Sequence, residues 1–295
     1  MAIQLGTVAP IGFPEFDSPD WLACFRAMGC TLVQAYRNQQ IDLPVQRMLD
    51  YIAAGQMRCE SLHGVFGAEY DPSSPIETVR RFSVNAYRDE GELALRLSGP
   101  LVVVHCSSLP DDEDDESPAD HKRRLGQLRK SIVELGRHGE GIGVTYAFEN
   151  LPGYHPLGAD AAELADLLRD LAVPSTGMCF DTGHALMVGD PAAAIRASAE
   201  QIVCLHLSDN SSRADEHEMP TFGALDCDGS ADAVRDVGYG GSMVLEVFHT
   251  VARLREMLDD GIADRLAALV ARASGVRPAK PPHSKSASRR ERGGR

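Results

Sequence analysis

A single α/β domain folded as a (β/α)8 TIM barrel is what the sequence predicts, and three observations predict it. Strand-like and helix-like segments alternate eight times before residue 275. The strand candidates are short runs rich in β-branched and apolar residues, as expected of parallel strands buried on both faces. Several of these runs end on a carboxylate or an imidazole, and the carboxyl ends of barrel strands are where TIM-barrel sites are built.

In chain order the strand candidates are IQLGTVA from Ile3, TLVQAY from Thr31, RCESLH from Arg58, LVVVHC from Leu101, GVTYAFEN from Gly143, TGMCFD from Thr176, IVCLHLSD from Ile202 and SMVLEVF from Ser242. The segments between them carry helix punctuation. Ser18-Pro19 and Asp190-Pro191 place a capping side chain before a proline at the first helical position. Ser74 with Glu77, Ser117 with Asp120, and Asp160 with Glu163 have the spacing of reciprocal caps. Glycines 29, 55, 99 and 238 fall where helices should stop. An open doubly wound sheet is the competing architecture, but it usually carries a Gly-rich turn after the first strand, which TVAPIGF does not supply.

At 295 residues with 43% hydrophobic side chains, the chain can build one large core. We place the catalytic domain at 1–274. Residues 275–295 hold seven Lys/Arg against one Glu and are rich in Pro, Ser and Gly, so they read as a disordered basic tail. The net charge of −14 then leaves −20 on the first 274 residues. No apolar run approaches membrane-spanning length, and MAIQLGTVAP lacks a charged-then-apolar signal segment. Seven cysteines without a CxxC pair fit a reducing compartment, so a cytoplasmic protein is expected.

Glu149 in YAFEN, Asp181 in CFDTGH, His206 in CLHLSD and Glu246 in VLEVF each close an apolar run. Burying such groups without a partner is costly, so their repetition points to one shared cationic site. Strand periodicity supports this: Glu149 shares a face with Ala147, Asp181 with Cys179, His206 with Cys204 and Glu246 with Val244. His63 after Ser61 and His105 after Val103 continue the pattern on the third and fourth strands.

The ordered series SLHG, VVVHCSS, FENLPG, CFDTGHA, LHLSDN followed by DEH, and LEVF resembles the xylose-isomerase-like TIM-barrel superfamily over residues 1–272. The superfamily contains sugar and sugar-phosphate isomerases and epimerases, dehydratases and endonuclease IV. The isomerase branch implies one divalent ion on Glu149, Asp181, His206 and Glu246, with Mn²⁺ or Mg²⁺ favoured by the oxygen-rich set. It also implies Glu149 and Glu246 as the acid/base pair of an enediolate mechanism on a small keto-sugar or sugar phosphate. The endonuclease IV branch implies three zinc ions on nine residues: the same four together with His63, His105, His184, Asp215 and His217. In an isomerase those five would contact a second metal or substrate hydroxyls.

Against DNA as a partner stand the acidic body, the DDEDDE run at 111–116, and the presence of two lysines, Lys122 and Lys130, in the first 274 residues. The same scarcity of lysine argues against a Schiff-base aldolase. The expected protein is therefore a metal-dependent isomerase or epimerase. A multi-zinc phosphoesterase and a dehydratase or lyase are the alternatives, and a non-catalytic binding subunit ranks last. Asp181 could also serve only as a helix cap, and Arg37, after the second strand, could hold a substrate anion or pair with a neighbouring acid. Trp21 reads as packing, a membrane partner is not expected, and a homo-oligomer is compatible with the family.

Overall fold

The computed structural model describes residues 3–109 and 118–276. Eight parallel strands close into a barrel in sequence order. They are β1 (Gln4–Ile11), β2 (Leu32–Arg37), β3 (Arg58–His63), β4 (Leu101–His105), β5 (Thr145–Glu149), β6 (Thr176–Asp181), β7 (Ile202–Leu207) and β8 (Ser242–Leu245). All eight expected strands are present. The acidic run at 111–116 and the segment from 277 onward lie outside the described residues.

Helices α1 (Pro19–Ala27), α2 (Val45–Ala54), α3 (Glu77–Arg96), α4 (Pro118–Ile142) and α5 (Ala161–Leu171) each follow one of the first five strands. Two short helices, α6 (Thr182–Val188) and α7 (Pro191–Ser198), follow β6. After them come α8 (Cys227–Asp236), α9 (Val251–Asp259) and α10 (Ile262–Ala273). Among the described residues no helix is long and apolar enough to cross a membrane.

Local chemistry accounts for most boundaries. Asp160 and Asp190 each accept two backbone N–H groups from the helix they precede, satisfying donors that have no partner within the first turn. The Ser74–Glu77 pair does not form the expected reciprocal cap. Ser74 instead accepts from Ile76 N–H, α3 starts at Glu77, and the Glu77 carboxylate turns to Arg80 and Gln127. An ion pair with Arg80 one turn along α3 and a hydrogen bond from Gln127 of α4 outcompete the local cap. Gly29 and Gly238 sit just beyond α1 and α8 at φ 98° and 70°, the left-handed conformation that glycine adopts without penalty.

Between barrel and helices lies a continuous apolar layer containing Trp21, Phe25, Tyr87, Tyr146, Phe148 and Phe180, all fully buried. Trp21 packs as expected: its ring lies 4.3 Å from that of Phe25, and its Nε1–H donates to the His249 carbonyl at 2.9 Å. This bond ties α1 to the segment leaving β8 and so closes the barrel outside the sheet.

Trp21→Phe should therefore lower stability by about 1–3 kcal/mol, the range for a buried acceptor left unpaired, and Trp21→Ala by about 3–5 kcal/mol. Urea midpoints at unchanged m-value measure both. A Phe variant as stable as the wild type would remove the closing role assigned to the indole N–H.

Candidate active site

Parallel pairing puts the strand ends at one level, so side chains far apart in sequence converge at the carboxyl end of the barrel. His105 pairs in register with Glu149, and Asp181 with His206. Glu246 follows directly on the last residue of β8. Glu149, Asp181 and His206 are fully buried and Glu246 is 3% exposed. One ligand atom from each of the four lies within 4.8 Å of all the others.

The centre of this ring is His206 Nδ1. It lies 2.7 Å from Glu149 Oε1, 2.7 Å from Glu246 Oε2 and 3.8 Å from Asp181 Oδ2. A single imidazole N–H cannot satisfy two carboxylates at that distance. Glu149 Oε2 and Glu246 Oε2 are accordingly buried with no hydrogen-bond partner. Burial and the negative charges of Glu246 and Glu149 push the Asp181 carboxyl up to about 6, despite the opposing His184 and His206. Three carboxylates around one nitrogen, two of them with a buried oxygen that lacks a hydrogen bond, form a donor set that fits a divalent cation.

Two further groups adjoin the ring. His63 is 4% exposed, and its Nδ1–H donates to Gly64 O at 2.9 Å. This leaves His63 Nε2 at 3.8 Å from Glu149 Oε2, while His105 Nε2 is 3.3 Å from the same oxygen. On the other side, His184 Nδ1–H donates to Asn150 O at 2.8 Å and His217 Nδ1–H to Glu246 O at 3.2 Å. The Nε2 atoms of His184 and His217 each lie 3.3 Å from Asp215 Oδ2. In His63, His184 and His217 a backbone carbonyl engages one nitrogen, so the other is presented as a potential ligand. Burial opposes protonation of His184 and His217. The carboxylates Asp181 and Asp215 for the first, and Asp215 and Glu246 for the second, outweigh it and raise them to about 10 and 9.

The structure thus brings together all nine residues named from the sequence: the central ring of four, the His63–His105–Glu149 group that shares Glu149 with it, and the His184–Asp215–His217 group beside it. Asp181 is also a cap, because its Oδ1 accepts from His184 N–H at 2.6 Å. Arg37 is placed differently from the substrate-anchoring expectation. Its guanidinium pairs with the buried Glu90 of α3, which is the structural alternative the sequence left open.

Several residues at the site went unnamed in the sequence reading. Gln34 is fully buried on β2; its Oε1 accepts from His206 Nε2–H at 3.1 Å, and its own amide donates to Ser61 Oγ at 3.1 Å. Tyr36, two residues on, lays its ring 4.8 Å from that of His63. The signal for both was a polar residue at Gln34 inside an apolar strand run, with Tyr36 on the same face. Asp209, within the LHLSDN run, organises the loop carrying Asp215 and His217. Its carboxylate accepts from the N–H groups of Asn210, Thr221, Gly223 and Leu225. His155 lies over His105, with ring centres 6.4 Å apart. A Cβ at Gly183 would lie 2.4 Å from Ser208 Oγ, so any side chain there would force that hydroxyl to move.

Residues 22–278 match the family described as xylose isomerase-like TIM barrel. Two uncharacterized proteins of Methanocaldococcus jannaschii are 28% and 26% identical over 189 and 147 residues, covering 63% and 49% of this chain. The matched regions span 63% and 54% of those relatives' own lengths. Among solved structures, a D-tagatose 3-epimerase-like protein superposes with a TM-score of 0.71 at 20% identity, covering 90% of this chain and all of that one. An L-ribulose 3-epimerase gives 0.68 at 19%, covering 95% of this chain and 100% of its own, and a 3-keto-D-glucoside 4-epimerase from E. coli gives 0.71 at 16%, covering 90% and 98%.

Gln34 holds His206 so that Nδ1, and not Nε2, faces the carboxylates. Gln34→Leu should weaken divalent-metal binding by about 10- to 100-fold, the usual effect of removing such an orienting partner. Titration calorimetry on metal-free protein measures it. Unchanged affinity in a folded Leu variant would show that the ring orients His206 unaided.

Proposed function

Because this chain belongs to the xylose isomerase-like TIM-barrel family, we propose that it is a divalent-metal-dependent isomerase or epimerase of a small polyhydroxylated keto compound, working by proton transfer between carboxylates. The observation that carries this reading is the matched placement of Glu149 and Glu246. Glu149 brings Oε1 and Glu246 brings Oε2 to 2.7 Å from the same His206 nitrogen, and the Oε2 of each is buried without a hydrogen bond.

Glu149, Asp181, His206 and Glu246 would hold the ion, with Mn²⁺ or Mg²⁺ suited to three carboxylates and one imidazole. When bound, such an ion polarises a carbonyl oxygen and stabilises the negative charge that develops there. Proton movement belongs to the two glutamates. One glutamate, as carboxylate, removes the proton from the carbon beside the carbonyl, and the other, having taken up a proton from solvent as a carboxylic acid, delivers that proton to the second face. Before substrate binds, His206 favours the ionised form of both glutamates. Burial pushes the Glu149 carboxyl up, but His206 and His105 outweigh it and hold it well below the usual carboxylate range. His63, His105, His184 and His217 are positioned to meet substrate hydroxyls. The comparison structures named as sugar 3- and 4-epimerases are consistent with this substrate class.

The two outer groups, His63–His105–Glu149 and His184–Asp215–His217, favour a second reading, a multi-zinc phosphoesterase. The charge of −20 on the first 274 residues weighs against a polyanionic substrate. We extend the proposal to a reducing cytoplasm, which suits seven buried cysteines.

Glu246→Gln should leave the fold intact and slow exchange of substrate protons into heavy water by at least about 100-fold, the scale of a lost general acid/base. The measurement is NMR of a keto-sugar panel with wild type and variant side by side. One exchangeable divalent ion per chain is expected alongside it. About three tightly held zinc ions, with cleavage of abasic DNA and no exchange from any sugar, would replace the epimerase reading by the phosphoesterase one.

A further inference from the structure

Directly beneath the carboxylate ring the barrel interior contains a second, chemically different layer. Cys179 precedes Asp181 by two residues on β6, and Cys204 precedes His206 by two on β7, so each thiol points inward on the same face as the ligand above it. The two cysteines are register partners across the β6–β7 pair. Cys179 is fully buried, Cys204 is 2% exposed, and both are free thiols. Their sulfur atoms and one nitrogen of His206 all lie within 4.8 Å of one another.

We propose that Cys179, Cys204 and His206 form a binding site for a soft divalent ion such as Cd²⁺ or Zn²⁺, one layer below the carboxylate ring and sharing His206 with it. Ligand atoms about 2.0–2.3 Å from a tetrahedral ion lie no more than about 4 Å apart, so closing the trio requires shifts of under about 1 Å. Charge favours it in a dry interior: two thiolates and a divalent ion sum to zero, with His206 neutral. Two S–H bonds and the His206 Nδ1–H bond break, two metal–sulfur bonds and one metal–nitrogen bond form, and three protons leave to solvent with no change of oxidation state. Thiolate ligands select soft ions, whereas the oxygen-rich ring above selects hard ones. His206 is common to both layers and its Nε2 is engaged by Gln34, so Nδ1 is contested. Occupation of the lower layer then withdraws the imidazole from the ring. Soft ions should displace Mn²⁺ from the protein, although neither cysteine contributes to the ring.

The proposal rests on His206 as a ligand of the ring, but not on which reaction the ring performs. Its test is spectroscopic and needs no substrate. Metal-free protein titrated with Cd²⁺ should develop the ultraviolet thiolate-to-cadmium band at one equivalent, and the added Cd²⁺ should release prebound Mn²⁺. The double variant Cys179→Ala/Cys204→Ala should lose the band and bind Mn²⁺ as the wild type does. A band that survives in the double variant would assign it to other cysteines and overturn the site. Should the double variant not fold, cadmium NMR of the wild-type protein decides: a resonance in the sulfur-coordinated range supports the lower layer, and one in the oxygen–nitrogen range alone refutes it. Failure here with intact Mn²⁺ binding leaves the proposed reaction untouched. Loss of sugar exchange with an intact cadmium band would overturn only the reaction.

Discussion

Three carboxylates, Glu149, Asp181 and Glu246, surround one imidazole nitrogen in a place shielded from water, and the structure around them is organised to tolerate that arrangement. Like charges so close and so dry repel strongly, and one His206 N–H cannot neutralise them. The Oε2 atoms of Glu149 and Glu246, buried without a hydrogen bond, make the same point geometrically. A barrel can hold such a cluster because each residue hangs from a different strand, so none can relax without distorting the sheet.

The surroundings hold these groups in place. Gln34 and Ser61 fix the face of His206 from below, and Asn150 exchanges hydrogen bonds with the Asp181 backbone, locking the ends of β5 and β6 together. Asp209 gathers four backbone N–H groups and thereby gives a long loop the rigidity of a strand end. Backbone carbonyls choose the exposed nitrogen of His63, His184 and His217. The result is a row of imidazoles on both sides of the central ring, with Glu149 common to the ring and to the His63–His105 side.

Much of this was legible in the chain itself. All eight strands were readable because each is a short apolar run between helix punctuation, and the strand-end carboxylates stood out as charges in otherwise buried segments. Gln34 was not recognised, because one amide within TLVQAY is a weak signal until its partner, 172 residues away, is known. Arg37 was ambiguous for the same reason: sequence shows a guanidinium after β2 but not that Glu90 of α3 reaches it first. The Ser74–Glu77 spacing had the form of a cap, yet a contact with α4 took the glutamate away.

By itself the sequence determined the eightfold repeat, the polarity pattern that turns each strand inward or outward, and the types of ligand at each strand end. These follow from local periodicity and from the cost of burying charge, both of which are written in neighbouring residues. Only the tertiary structure decided that nine such groups meet, that they divide into a central ring and two flanking groups, and that a pair of thiols lies one layer beneath. Those facts depend on the register between strands and on barrel closure, which bring together residues separated by most of the chain.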